Sequence, residues 1–118
     1  MKILNRKQFN ENFKYFDKPT LIEIISIFQE EYNEKIKLIK EYSKKEDYKN
    51  LKFVLHSLKG VISNFDTDTI LETARKLEFL AERNEKEAIA TLLPDFEDKV
   101  ELLYKDLVKI KDELDYEN

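Results

Sequence analysis

The chain has no cysteine and no tryptophan, and only one glycine, one histidine and two prolines in 118 residues. Without cysteine there is neither a disulfide nor a thiolate metal site. So few glycines and prolines leave almost no turn formers, which argues against a β-rich fold with its many tight reversals. One glycine cannot build a phosphate-cradling loop, so a nucleotide-binding kinase is excluded. No stretch approaches the roughly 20 apolar residues of a membrane span. The N-terminal "MKILNRKQFNENF" carries no apolar run of signal-peptide length. An excess of positive charge is missing too: 21 Lys and Arg stand against 25 Asp and Glu, a net charge of −4. An acidic chain without a basic stripe is a poor partner for nucleic acid. These absences predict a soluble, cytoplasmic protein with neither a membrane nor a nucleic-acid partner.

What is present points to helices. Charged residues make up 39% and hydrophobic residues 42% of the chain, too rich in Ile, Leu and Phe for disorder. The length fits one domain over residues 1–118, with its core at about 19–112. A short helix is expected around residues 6–15, followed by the break "FDKPT", where Asp17 can cap and Pro19 suits a first turn. Over 19–43, Leu21, Ile25, Phe28, Tyr32, Ile36 and Ile39 step by threes and fours, one stripe of an amphipathic helix. "SKKED" breaks the pattern, and a third helix is expected over about 46–64. Asp66 or Thr67 can cap a fourth, with core positions Ile70, Ala74, Leu77 and Ala81. After "ERNEKE" the last segment carries Leu92, Phe96, Val100, Leu103, Leu107 and Ile110, with Pro94 predicting a kink or restart near Leu93. The predicted fold is all-α: an up-down four-helix bundle with an additional short N-terminal helix. An initiator Met and the polar tail "DELDYEN" lead us to expect a complete small protein, and a monomer.

The sole histidine and the sole glycine fall together in "LHSLKGVISNF", residues 55–65. At about 100° per residue, Leu51, Val54, Leu55, Leu58, Ile62 and Phe65 share one face, which must be the core side. His56 lies about 140° from Leu51, with Gly60 and Ser63 beside it, Lys52 and Lys59 on one flank and Phe53 on the other. An exposed histidine by itself needs no explanation, and a metal site would need carboxylates converging from other helices. Gly60 changes the weighing. A helix-interior glycine costs roughly 1 kcal/mol against alanine, and on an exposed face core packing does not demand it. Its bare backbone clears the approach to the imidazole, and Lys59, expected to be exposed, can reach a group attached to the ring. A surface nucleophile, a cation and a cleared approach fit a phosphoryl group delivered by another macromolecule.

"HSLKG" resembles the His-x-Leu-Lys-Gly motif of histidine-containing phosphotransfer (HPt) domains, and "ETARKLEFLAE" resembles the family's A-x-x-LE helix through Ala74, Leu77 and Glu78. The likeness runs over about residues 19–110. It departs at Asp66, where many members place a turn glycine. The resemblance implies that His56 is the phosphorylated residue, Lys59 its neighbouring cation, Gly60 the helix glycine and Ser63 the small residue further on.

The reading that follows is a phosphorelay intermediate that exchanges a phosphoryl group between His56 and aspartates of response-regulator receiver domains, fed by a hybrid sensor kinase. The chain itself is expected to be no kinase and to bind no cofactor or metal, with Mg²⁺ carried by the partner receiver. Phe53, Lys52, Ser63 and, from the preceding helix, Ile24 and Ile27 are the candidate docking residues; Ile24 and Ile27 border the core stripe and compete for a packing role. A sensor-kinase dimerisation helix is disfavoured, because Ser57 follows His56 and the next proline is Pro94. The alternative from another class is a helical interaction or scaffold domain whose histidine is not phosphorylated.

Overall fold

Asparagine or aspartate starts each of the first three helices. In the computed structural model, which describes residues 4–65 and 68–116, Asn5 caps α1 (Arg6–Asn12), Asp17 caps α2 (Lys18–Lys44) and Asp47 caps α3 (Tyr48–Ile62). Each side chain accepts from the backbone N–H three residues on: Gln8 at 3.0 Å, Thr20 at 2.8 Å and Asn50 at 3.2 Å. These bonds satisfy donors that a helix start leaves free. Hydrogen bonds from Thr20 also hold the Asp17 carboxyl below its ordinary range. A 3-10 turn, Ser63–Phe65, ends α3, and α4 (Asp68–Glu82) and α5 (Lys86–Tyr116) follow. Asp66 and Thr67, the candidate caps of α4, lie outside the described residues.

Helices α2, α3, α4 and α5 each pack on the next, and α5 closes the ring on α2. This is an all-α, four-helix bundle with a short helix before it, and the described residues contain no strand. Two turns at one end are built alike. Glu46 N–H and Asp47 N–H donate to the Ser43 and Tyr42 carbonyls, and Asn84 N–H and Glu85 N–H donate to those of Ala81 and Leu80. Both are Schellman closures, which need a left-handed residue after the helix. Glu46 (φ 56°) and Asn84 (φ 54°) fill that place. Glu46 also pairs with Lys86, which ties the two turns together. The third helix therefore begins at Tyr48, later than the sequence predicts, because Glu46 is spent on the cap.

The core stripes lie where the periodicity puts them in α2, α3 and α4. Leu21, Ile25, Phe28 and Ile39 are buried, and so are Leu51, Leu55, Leu58 and Ile62. Helix α5 departs from expectation in two places. Of the kink or restart expected near Leu93 there is no restart: one helix runs through Pro94. Proline removes the N–H that would reach the Ala90 carbonyl, but both residues are exposed, so solvent can satisfy that carbonyl. The inward residue is Leu93 rather than Leu92, which is only half-buried. Ile89, Leu93, Phe96, Val100, Leu103, Leu107 and Ile110 then step by fours and threes along one buried seam.

The first helix ends at Asn12, short of the predicted residue 15. Phe13 leaves the helix to join an aromatic group that closes one end of the core. Its ring lies 4.8 Å from Phe9 and 6.2 Å from Phe65, which meets Phe28 edge-on at 5.5 Å. The bundle is elongated, 48 × 22 × 20 Å, because α2 and α5 are long and α3 and α4 short.

Candidate functional site

The middle of α3 meets α4 through a carboxylate. Glu78 lies on the core-facing side of α4, one turn from Ala74 and Ala81, and its side chain is only 11% exposed. Its Oε1 lies 2.8 Å from Nδ1 of His56, and its Oε2 lies 2.6 Å from Nζ of Lys59. An ionised carboxylate can only accept, so the proton of this hydrogen bond is assigned to Nδ1. That leaves Nε2 with its lone pair. The His56 side chain is 71% exposed, which places this second nitrogen at the surface. Oε2 accepts no hydrogen bond among the described residues; the Lys59 ammonium beside it is an ion-pair partner outside hydrogen-bond geometry.

Lys59 differs from its expectation. Its side chain is 22% exposed and turned to Glu78, so it is not a freely solvated surface cation. The cause is the i+3 step, which puts Lys59 between His56 and the core edge, against α4. Lys52, one turn before His56, pairs with Glu82 on α4, and that hydrogen bond holds the Glu82 carboxyl below the usual carboxylate range. Gly60 is helical and exposed, and a methyl placed on it would meet nothing within 4 Å outside its own helix. Neither backbone conformation nor packing calls for glycine there. Ser63 is exposed, and its hydroxyl donates to the Gly60 carbonyl at 2.6 Å, which closes the end of α3.

The apolar candidates divide. Phe53 is 66% and Ile27 49% exposed, whereas Ile24 is half-buried and packs on the core. Ile24 also lines an open groove of about 590 Å³ with Phe13, Phe16, Ser63 and Asn64. Phe53 edges a second groove, of about 340 Å³, with Lys52 and Glu82. His56 lies in neither. The imidazole is held at the seam between α3 and α4, where its side chain is largely open to solvent. Among the described residues, no three His, Asp or Glu side chains converge as a metal site.

A family profile decides what this arrangement belongs to. The Hpt domain profile matches residues 23–115, most of the chain.

This chain belongs to the Hpt domain family.

Hpt domains are phosphotransfer carriers, not kinases, and work with receiver domains and kinases in two-component phosphorelays. Comparison with curated proteins and with solved structures finds no significant match. The match takes in all of α3, α4 and their site residues, and leaves α1 outside it. No helix described here is long and apolar enough to cross a membrane. Sequence reasoning reached Glu78 only as part of a motif and missed it as the partner of His56. A signal was present: a carboxylate sits within the stripe formed by Ala74, Leu77 and Ala81. The exposed Phe79, with Arg83 over its ring at 5.4 Å, also went unread.

Proposed function

We propose that His56 is the phosphoacceptor of this Hpt domain and that it passes the phosphoryl group to and from aspartates of receiver domains. The carrying observation is the Glu78 bond to Nδ1, which leaves Nε2 as an exposed nucleophile beside the bare backbone of Gly60. In acceptance, the Nε2 lone pair attacks the phosphorus of an aspartyl phosphate. The bond from phosphorus to the aspartyl oxygen breaks, and its electron pair stays on the carboxylate. No proton leaves: the ring keeps the one on Nδ1 and becomes cationic as the Nε2–P bond forms. Such transfers rest on alignment and charge stabilisation. An imidazole this exposed has little of either around it, so the receiver is assigned the acidic pocket and the Mg²⁺, and a hybrid sensor kinase the upstream phosphoryl. Phe53, one turn before His56, and Ile27 on α2 are exposed apolar residues open to a partner, and Lys52 and Lys59 supply positive charge.

The test is incubation with a phosphorylated receiver domain. The chain should acquire a phosphoryl group that is labile in acid and stable in alkali, as a phosphoramidate is. His56→Gln should abolish the label and leave the helical circular dichroism unchanged. Label that persists in the mutant or survives acid overturns the assignment. A folded wild-type chain that takes no label from any receiver or kinase of its own genome favours the scaffold reading.

A further inference from the structure

We propose that Arg75, Phe79 and Arg83 form a recognition stripe on α4 that selects which receiver domains His56 serves, by taking carboxylates that flank an apolar contact on the receiver. The proposal rests on the phosphotransfer reading above and gives the three residues a part in docking and none in the chemistry. They follow one another at intervals of four, so they lie in one row along the outer side of α4. Phe79 is 61% exposed, and the Arg83 guanidinium lies over its ring at 5.4 Å. Arg83 is the first residue after the helix, and its N–H donates to the Phe79 carbonyl at 3.3 Å, so the closure of α4 sets where its side chain starts.

An exposed phenyl alone is ordinary, and a lysine serves the C-terminal end of a helix as well as an arginine does. The choice of arginine is what needs a reason. The chain has eighteen lysines and three arginines. One of the three, Arg6, pairs with Glu113, and the other two stand one turn to either side of Phe79. Among the described residues no carboxylate pairs with those two, although the chain is acidic. The acidic residues of α4 around them are taken: Glu72 pairs with Lys76, Glu78 with His56 and Lys59, and Glu82 with Lys52. Two guanidiniums are thus left with their forks unused around an exposed ring. Such a fork fits a carboxylate with two parallel hydrogen bonds, which an ammonium cannot copy. Arginine and large aromatic residues are also the usual anchors of protein interfaces. Position names the partner. Phe79 follows Glu78, whose carboxylate touches His56, so a receiver that brings its aspartyl phosphate to Nε2 comes down beside the stripe. That receiver is assigned an acidic pocket, and carboxylates at its rim are the complement of Arg75 and Arg83.

The experiment loads His56 from phosphoramidate, which needs no docking, and measures donation to a receiver domain with Mg²⁺ as the receiver concentration is raised. Wild type is compared with Phe79→Ala and with the double variant Arg75→Glu/Arg83→Glu, all at exposed positions. Both variants should load as wild type does and reach the same rate at saturating receiver. The receiver concentration at half-maximal rate should rise about tenfold in each, the effect of losing one anchor of an interface. Added salt should raise that concentration for wild type and lower it for the charge-reversed variant. Unchanged half-maximal concentrations in folded, loaded variants overturn the proposal and leave the phosphotransfer reading standing. A second measurement needs no variant. When wild type is titrated with the receiver, the side-chain Nε–H signals of Arg75 and Arg83 should shift in nitrogen NMR; signals that stay put while the α3 amides around His56 move overturn the proposal as well. Sedimentation of the chain alone tests the other occupant: a dimer that Phe79→Ala dissolves assigns the stripe to a second copy and overturns the proposal. Failure of His56 to take phosphoryl at all would instead strike the function.

Discussion

At the scale of single residues, the glycine is the clearest case of a choice that folding does not explain. Gly60 is helical, exposed and has nothing within reach of an added methyl. Gly60→Ala should therefore raise stability by up to about 1 kcal/mol, through better helix propensity and a less mobile unfolded chain. Gly60→Gln should also fold well, while its long side chain lies one turn from His56 and blocks the docked partner. A thermal melt paired with a transfer assay checks both variants. Lower melting temperatures with normal transfer per folded molecule would mean that the glycine serves the backbone. The position of His56 was legible from helical angle alone, because the apolar positions of α3 leave one arc free. The partner of its inner nitrogen was not, since which residue of α4 meets His56 depends on how two helices register, and one sequence carries no direct record of that. The same registry moved Lys59 from the surface to the side of Glu78.

At the scale of elements, glycine is absent where local geometry would favour it. Glu46 and Asn84 are left-handed at the two Schellman closures. Asparagine tolerates this conformation, whereas a longer side chain costs about 1 kcal/mol or more there. Glu46→Gly should stabilise the domain by about 1 kcal/mol, because the ion pair it gives up with Lys86 is between exposed groups. Chemical denaturation should show a higher midpoint with an unchanged slope; a lower midpoint would mean that tying the two turns together outweighs the strained cap. Helix existence and stripes were readable because period and capping residues agree for α2 and α3. The failures sit where two local rules compete. Proline argued for a restart in α5, and the packing of Leu93 and Phe96 on either side of it won. Leu92 and Leu93 are both apolar, and only the neighbouring helices decide which one turns inward.

At the scale of the whole molecule, the site occupies the short pair of helices and the long pair supports it. Helices α2 and α5 extend past α3 and α4, and the aromatic group of Phe9, Phe13, Phe28 and Phe65 closes the end they leave open. In the phosphotransfer reading, an imidazole as exposed as that of His56 needs a second macromolecule to exclude water and complete the charge distribution. In that reading the bundle contributes a fixed platform for the exposed histidine.

The order in which the helices pack carries a kinetic consequence. Each of α2, α3 and α4 lies against its successor in the chain, and among these four helices the main packing of distant segments is the return of α5 to α2. Contacts between sequence neighbours close small loops, and bundles of this kind fold in microseconds to milliseconds. The hairpin of α3 and α4, with its histidine and glutamate 22 residues apart, should be formed in the transition state, and the α2–α5 seam should close after it. In stopped-flow folding, Leu77→Ala should then mainly slow refolding, and Leu107→Ala should mainly speed unfolding. The opposite pattern would place the nucleus at the seam. With the nucleus in the hairpin, His56 and Glu78 come together first, and fluctuations that open the long helices leave them together.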